Sequence, residues 1–209
     1  AIILEDDCIP SVSFLPYCDE LLDKHKNDSH IMMINGTTFV EGQCGSSTHR
    51  LSKCAIVWGW ATWARAWNNY DVKMSDYQIN SDTIKQRILA YFGKYGVNIN
   101  KLISAVQNDR VDTWDAQWVY SLWRQSNFHT ILPNVNLISN IGFGLQSTHT
   151  KIKSRLENRE LKSISLPLGK LHQAPDTQSL DVAQLSAMRQ LHSFSSIFDY
   201  WISLLFKRT

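Results

Sequence analysis

The first apolar run, Ala1-Ile2-Ile3-Leu4, stops abruptly at Glu5-Asp6-Asp7, and a short apolar run with a polar stop predicts a core strand. Phe14, Leu15, Tyr17, Cys18, Leu21 and Leu22 then recur at the 3.6-residue spacing of an amphipathic helix, with Ser13 or Ser11 as its cap. Ile31-Met32-Met33-Ile34, halted by Asn35-Gly36, predicts a second buried strand. Strand, helix and strand in that order predict a parallel βαβ unit. From Phe39 to Ser52 the chain is rich in Gly, Ser and Thr and reads as an irregular loop, and Ala55 to Trp60 reads as a strand entering a turn. Ala61 to Trp67 has helical spacing. Residues 75–107 carry two apolar stripes separated by a break at Gly93 to Gly96, and Trp114 to Arg124 is amphipathic, with Trp118, Leu122 and either Val119 or Trp123 facing inward. His129 to Pro133 predicts a last strand, and Asn134 to His149 an extended loop.

Beyond Lys151 the pattern turns charged, with breaks at Pro167 and Pro175, so residues 1–150 read as the domain and 151–209 as a C-terminal extension. Residues 194–206 hold an apolar cluster from Phe194 to Phe206 that predicts an amphipathic helix too short to cross a bilayer. The expectation is a peripheral contact with a partner or a membrane face, or docking on its own domain. The chain enters directly on a strand, with no turn or cap before Ala1, so further sequence is expected upstream.

With 209 residues, 44% of them hydrophobic, the chain can bury a full core. Its net charge of +2 comes from scattered basic residues, which gives nucleic acid no electrostatic footprint. The four cysteines, Cys8, Cys18, Cys44 and Cys54, form no CxxC pair, which argues against a structural zinc site. Reduced, buried thiols and a cytoplasmic setting, at the inner face of a membrane if 194–206 docks there, are the expectation. Two glycosylation-type triplets at Asn27 and Asn35 decide nothing without a secretory signal.

Three adjacent carboxylates at the carboxyl end of a strand lie where open α/β sheets bind ligands, and their mutual repulsion suits a hard divalent cation carrying a diphosphate. Trp58-Gly59-Trp60 offers aromatic walls beside a glycine that permits close backbone approach, although a core turn fits the same residues. Asp115, between Trp114 and Trp118 at the start of a helix, is either a helix cap or a half-desolvated general base. His149 ends the last loop and is a candidate metal ligand by position.

This ordered series, Ile3-Leu4-Glu5-Asp6-Asp7 with Pro10 and Phe14, Trp58-Gly59-Trp60, Trp114-Asp115-Ala116-Gln117-Trp118, and Pro133 to Gly144 with His149, resembles nucleotide-sugar glycosyltransferases of the GT-A type. The resemblance is in particular to bacterial family 2-like proteins and their relatives similar to N-acetylglucosaminyltransferase I, over roughly residues 1–150. The resemblance implies an α/β protein with a GT-A fold, an incomplete Rossmann-like parallel sheet with flanking helices, in which 1–150 is the metal and acceptor half. It implies that Asp7 binds Mn2+ or Mg2+, that Glu5 and Asp6 contact ribose or sugar hydroxyls, and that Asp115 is the inverting base. Trp58, Gly59 and Trp60 would wall a sugar. The implied partners are a nucleotide-sugar donor and a glycan or glycolipid acceptor. Ala116 stands where the related pattern has a second acid, which leaves Asp112 as a substitute for Asp115. Two other classes fit parts of the pattern: a non-catalytic carbohydrate-binding relative and a metal-dependent phosphohydrolase.

Overall fold

The computed structural model describes residues 1–142, 155–172 and 174–191. In chain order the elements are β1 (Ile2–Ile3), β2 (Cys8–Pro10), α1 (Phe14–Lys24), β3 (Ile31–Asn35), β4 (His49–Ser52), β5 (Trp60–Ala61), α2 (Ala64–Trp67), α3 (Tyr77–Phe92), α4 (Lys94–Gln107), α5 (Asp115–Arg124), β6 (His129–Pro133), β7 (Ile138–Asn140) and α6 (Thr177–Leu191). Five strands form one sheet in the order β1-β5-β3-β6-β4, and β2 and β7 form a separate two-stranded ribbon.

All five residues of β3 are buried because both faces of the sheet are covered. Ile31 and Ile34 pack with Phe14, Tyr17, Cys18 and Leu21 of α1 on one side. Met32 and Met33 pack with Ile84, Ile88, Ile103, Trp118 and Leu122 of α3, α4 and α5 on the other. The chain is therefore an α/β protein, but its sheet is mixed where a parallel one was expected. β1 and β3 run the same way, as the strand-helix-strand reading requires, yet β5 lies between them antiparallel to both. Thr62, just past β5, fixes that insertion: its N–H reaches Ala1 O at 3.0 Å, and its hydroxyl donates to Met32 O at 2.7 Å. Among the strands of the described residues only the β3–β6 pair is parallel.

Other expectations shift for identifiable reasons. Residues 75–107 form two helices that break at Gly93 alone, at φ 55°, while Gly96 belongs to α4. A Cβ on Gly96 would lie 2.7 Å from Ile88 O, so this glycine lets α3 and α4 pack closely. Ser13 occupies the N-cap position of α1 without capping it, because its hydroxyl accepts the N–H of Ile164 at 3.0 Å. The segment read as an irregular loop contains β4, and Asn134–His149 contains β7.

Residues 155–191 are built into the body rather than appended to it. Leu156, Ile164 and Leu168 are buried, and the Glu20 carboxylate accepts the N–H of Leu168. On α6, Gln184 is fully buried and accepts the N–H groups of Phe39 and Val40 at 2.7 and 3.1 Å. Asp181, also fully buried, pairs with Arg50 at 2.7 Å and accepts from Ser52 Oγ, Lys53 N and Tyr91 OH. One carboxylate thus ties α6 to β4 and α3. His149 and residues 194–206 lie outside the described residues, so the metal and membrane expectations placed on them have no structural counterpart here. Among the described residues no helix is long and apolar enough to cross a membrane, and all four cysteines are buried free thiols.

Removing one partner of a buried ion pair strands the other, so Asp181→Ala should lower unfolding stability by about 3–5 kcal/mol in urea titrations. A loss below about 1 kcal/mol would show that the Asp181 network does not hold α6 to the body.

Candidate functional site

Where β1 ends, the chain turns through Glu5, Asp6 and Asp7 and re-enters pairing as β2 against β7, with Cys8 opposite Asn140. The turn is closed by Cys8 N to Glu5 O at 3.1 Å, and its exit is clipped by Ile141 N to Asp7 O at 2.8 Å. The backbone that carries the acids is therefore fixed at both ends.

The Asp7 side chain is fixed as well. Its carboxylate lies against Gly142, where a Cβ would come 1.9 Å from Oδ2, so only a residue without a side chain leaves it room. Asn140 Oδ1 accepts the N–H of Gly142 at 2.8 Å, the Asn140 amide approaches Cys8 Sγ at 3.9 Å, and the Cys8 thiol points to Asp7 Oδ1 at 3.6 Å. Burial first, then the charges of Asp7 and Glu5, push the Cys8 thiol up to about 12, so it stays protonated and acts as a donor.

Asp115 opens α5, following Trp114 at the cap position. Among the described residues its carboxylate accepts no backbone N–H of the first turn, as the helix-cap alternative would require; instead its Oδ1 accepts the Thr113 hydroxyl at 2.5 Å. Although a hundred and more residues separate it from the β1 turn, it lies near enough to act electrostatically on Glu5. Glu5 is half-buried and pushed up to about 7, chiefly by burial and then by Asp7, Asp115 and Asp6, while a hydrogen bond from the Trp114 side chain opposes the shift.

A single aromatic circuit sets this geometry. Ile3 of β1 pairs with Trp60 of β5, the Trp60 ring stacks on Trp114 at 5.8 Å and 18°, and Trp114 reaches Glu5. Trp60 is 1% exposed and is also packed by Trp67 and Trp118, so it is a core residue and not the sugar wall expected of it. Gly59 is also a packing residue: it adopts φ 60°, and a Cβ on it would come 2.3 Å from Ile138 Cδ1. Trp58 does face the cleft, packed edge-on by Phe39 at 5.9 Å, with its carbonyl accepting the Thr37 hydroxyl. Exposed Asp6 and Asp112 also line it.

The cleft has a volume of about 2440 Å3 and runs from the acids past α5 to α3, α4 and α6. Glu5, Asp7 and Cys8 bring one potential ligand atom each within 4.8 Å of one another. Two carboxylate oxygens suit a hard divalent ion, whereas the soft sulfur of Cys8 suits one poorly. The donor set therefore fits Mg2+ or Mn2+ on Asp7 and Glu5. Sequence reading placed Glu5 on sugar hydroxyls; here it stands beside Asp7. Sequence reading missed Trp114 as a donor to Glu5 and Gly142 as the space for Asp7, although Asn140-Ile141-Gly142 already marked a glycine next to a polar residue.

No protein-family model, no curated protein and no solved structure matches the chain.

Because burial and then the neighbouring carboxylates disfavour ionised Glu5, Glu5→Gln should stabilise the metal-free protein by about 1–2 kcal/mol at pH 8, read from urea unfolding in EDTA. A destabilised variant would mean that ionised Glu5 is not disfavoured in the folded protein.

Proposed function

We propose that this protein is a metal-dependent glycosyltransferase that moves a sugar from a nucleoside-diphosphate sugar to an acceptor hydroxyl with inversion at the anomeric carbon. The observation that carries this reading is the convergence of Asp7 and Glu5, at the end of β1, with Asp115, at the start of α5, on one cleft. Transfer with inversion needs two carboxylate stations. One neutralises the departing diphosphate, and the other takes a proton from the attacking hydroxyl. The order of motifs along the chain, which resembles the GT-A transferases, supports the same assignment.

Asp7 and Glu5 are the residues that would hold a divalent ion. When bound, Mn2+ or Mg2+ supplies Lewis-acid stabilisation to the leaving diphosphate. Asp7 is suited to a fixed position because Gly142 and Cys8 lie against its carboxylate and Asn140 holds both of them. Asp115 is the base: the Thr113 hydroxyl occupies one of its oxygens and leaves the other for an acceptor O–H. Asp112, exposed near it, has no comparable hydrogen bond to orient its carboxylate among the described contacts. Trp58 lines the cleft that a sugar would enter, and Asp6 is exposed for a hydroxyl contact. The acceptor is a glycan or glycolipid in this reading.

Asp7→Ala should remove Mn2+-dependent binding of uridine diphosphate, measured by calorimetry, while the thermal unfolding midpoint holds. Unchanged manganese-dependent affinity would remove the metal role of Asp7. Asp115→Asn should lower kcat by roughly 100- to 10,000-fold with donor KM within a few-fold, in a radiolabelled transfer assay. Normal turnover would leave Asp115 a helix residue only.

A further inference from the structure

Asn140 closes β7 at 4% exposure, and the ribbon pairs there through backbone alone. Cys8 lies opposite Asn140 on one side; on the other, Glu157 bridges to it and the N–H of Asn158 donates to Asn140 O at 3.0 Å. The side-chain amide makes two bonds of another kind. Its Oδ1 accepts the N–H of Gly142 at 2.8 Å, and its Nδ2 donates to Cys8 Sγ at 3.9 Å. The Cys8 thiol lies 3.6 Å from Asp7 Oδ1, and Gly142 is the residue whose missing side chain leaves room for Oδ2. Each oxygen of one carboxylate is thus met by a residue that the same amide holds.

One backbone group fixes the direction of this chain of bonds. An N–H can only donate, so the amide atom facing Gly142 is the oxygen and the atom facing Cys8 is the nitrogen. Sulfur then accepts from Asn140, which leaves the thiol proton for Asp7 Oδ1. Bonds to sulfur are weak one at a time, but Cys8 is 9% exposed and packs in a core with Phe14, Tyr17 and Ile138, so the thiol is also held by its surroundings. Groups that orient a ligating carboxylate in this way control metal affinity without touching the ion.

We propose that Cys8 and Asn140 are positioning residues of the ion site: the Cys8 thiol holds the Asp7 carboxylate, Asn140 holds the thiol and Gly142, and together they set how tightly a divalent ion binds. This rests on the ion-binding reading of Asp7 above. Cys8 is a hydrogen-bond donor in this arrangement and not a ligand, and Asn140 acts through Cys8 and Gly142.

The test is titration with MnCl2, with free Mn2+ followed by electron paramagnetic resonance, of the wild type, Cys8→Ala, Cys8→Ser, Asn140→Ala and the double alanine variant. Calorimetry with the manganese complex of uridine diphosphate and thermal midpoints in EDTA are measured in parallel. Each single alanine should weaken Mn2+ binding by about 10- to 100-fold. Cys8→Ser keeps a donor and should stay within about 3-fold of the wild type. The double variant should fall well short of the product of the two single losses, because the residues act in series. Metal-free midpoints should lie within about 5 °C of the wild type. Unchanged Mn2+ affinity in both alanine variants overturns the proposal and leaves the ion site standing. So does Cys8→Ser as weak as Cys8→Ala, and so does Cys8→Ser more than about 10-fold tighter than the wild type, the mark of a direct ligand. Midpoints more than about 10 °C lower in both alanine variants assign the losses to structure and overturn it as well. A wild type that binds neither Mn2+ nor its diphosphate complex overturns the ion site itself.

Discussion

Electrostatic crowding at the end of β1 is the constraint on which the rest of the site depends. Glu5, Asp6 and Asp7 share one turn, Asp115 approaches from α5, and burial, with repulsion from these neighbours after it, pushes Glu5 up to about 7. A folded chain keeps such a cluster only if the backbone around it is held elsewhere. Here the β2–β7 ribbon holds it from one side, through Cys8 opposite Asn140 and Ile141 N on Asp7 O. The aromatic circuit from Ile3 through Trp60 and Trp114 holds it from the other. The cost of the cluster is local, and a bound cation would relieve it.

The same circuit explains how residues far apart in sequence meet at a set distance. β5 pairs with both β1 and β3, so the tryptophan it carries is locked into the sheet. Trp60 then stacks on Trp114, which immediately precedes Asp115, and Trp118 one turn later closes the stack from α5. The start of α5 is therefore registered against the end of β1 by ring packing, not by a loop. Aromatic pairs of this kind add roughly 0.5–1.5 kcal/mol each beyond the area they bury, enough to resist the repulsion between the carboxylates they bring together. The buried Asp181–Arg50 pair performs a related task at the opposite edge of the sheet, where it ties the chain beyond residue 155 to β4.

Much of this was legible in the sequence where periodicity was strong. α1, α5, β3 and β6 follow from apolar spacing because each buries one stripe or both faces in a continuous core. Glu5, Asp7 and Asp115 were legible as candidates, and folding brings them to one cleft. β4 was not legible, because His49, Arg50 and Ser52 are polar residues buried in a strand, and what compensates them, Asp181 and Gln43 among others, lies elsewhere in the chain. β7 was hidden for a similar reason: Ile138-Ser139-Asn140 pairs with a strand that starts at a thiol and ends at a proline. Trp60 and Gly59 look alike as core and as binding residues in any local window, and only the tertiary position of Ile138 and Trp114 separates the two.

Diffraction at the manganese absorption edge, from crystals of the protein grown with Mn2+ and uridine diphosphate, tests the central claim most directly. The account predicts one anomalous peak within coordination distance of the Asp7 carboxylate, next to Glu5 and on the side of the cleft that Asp115 faces. No peak there, with the Asp7 carboxylate rotated off Gly142 and away from the cleft, would contradict it.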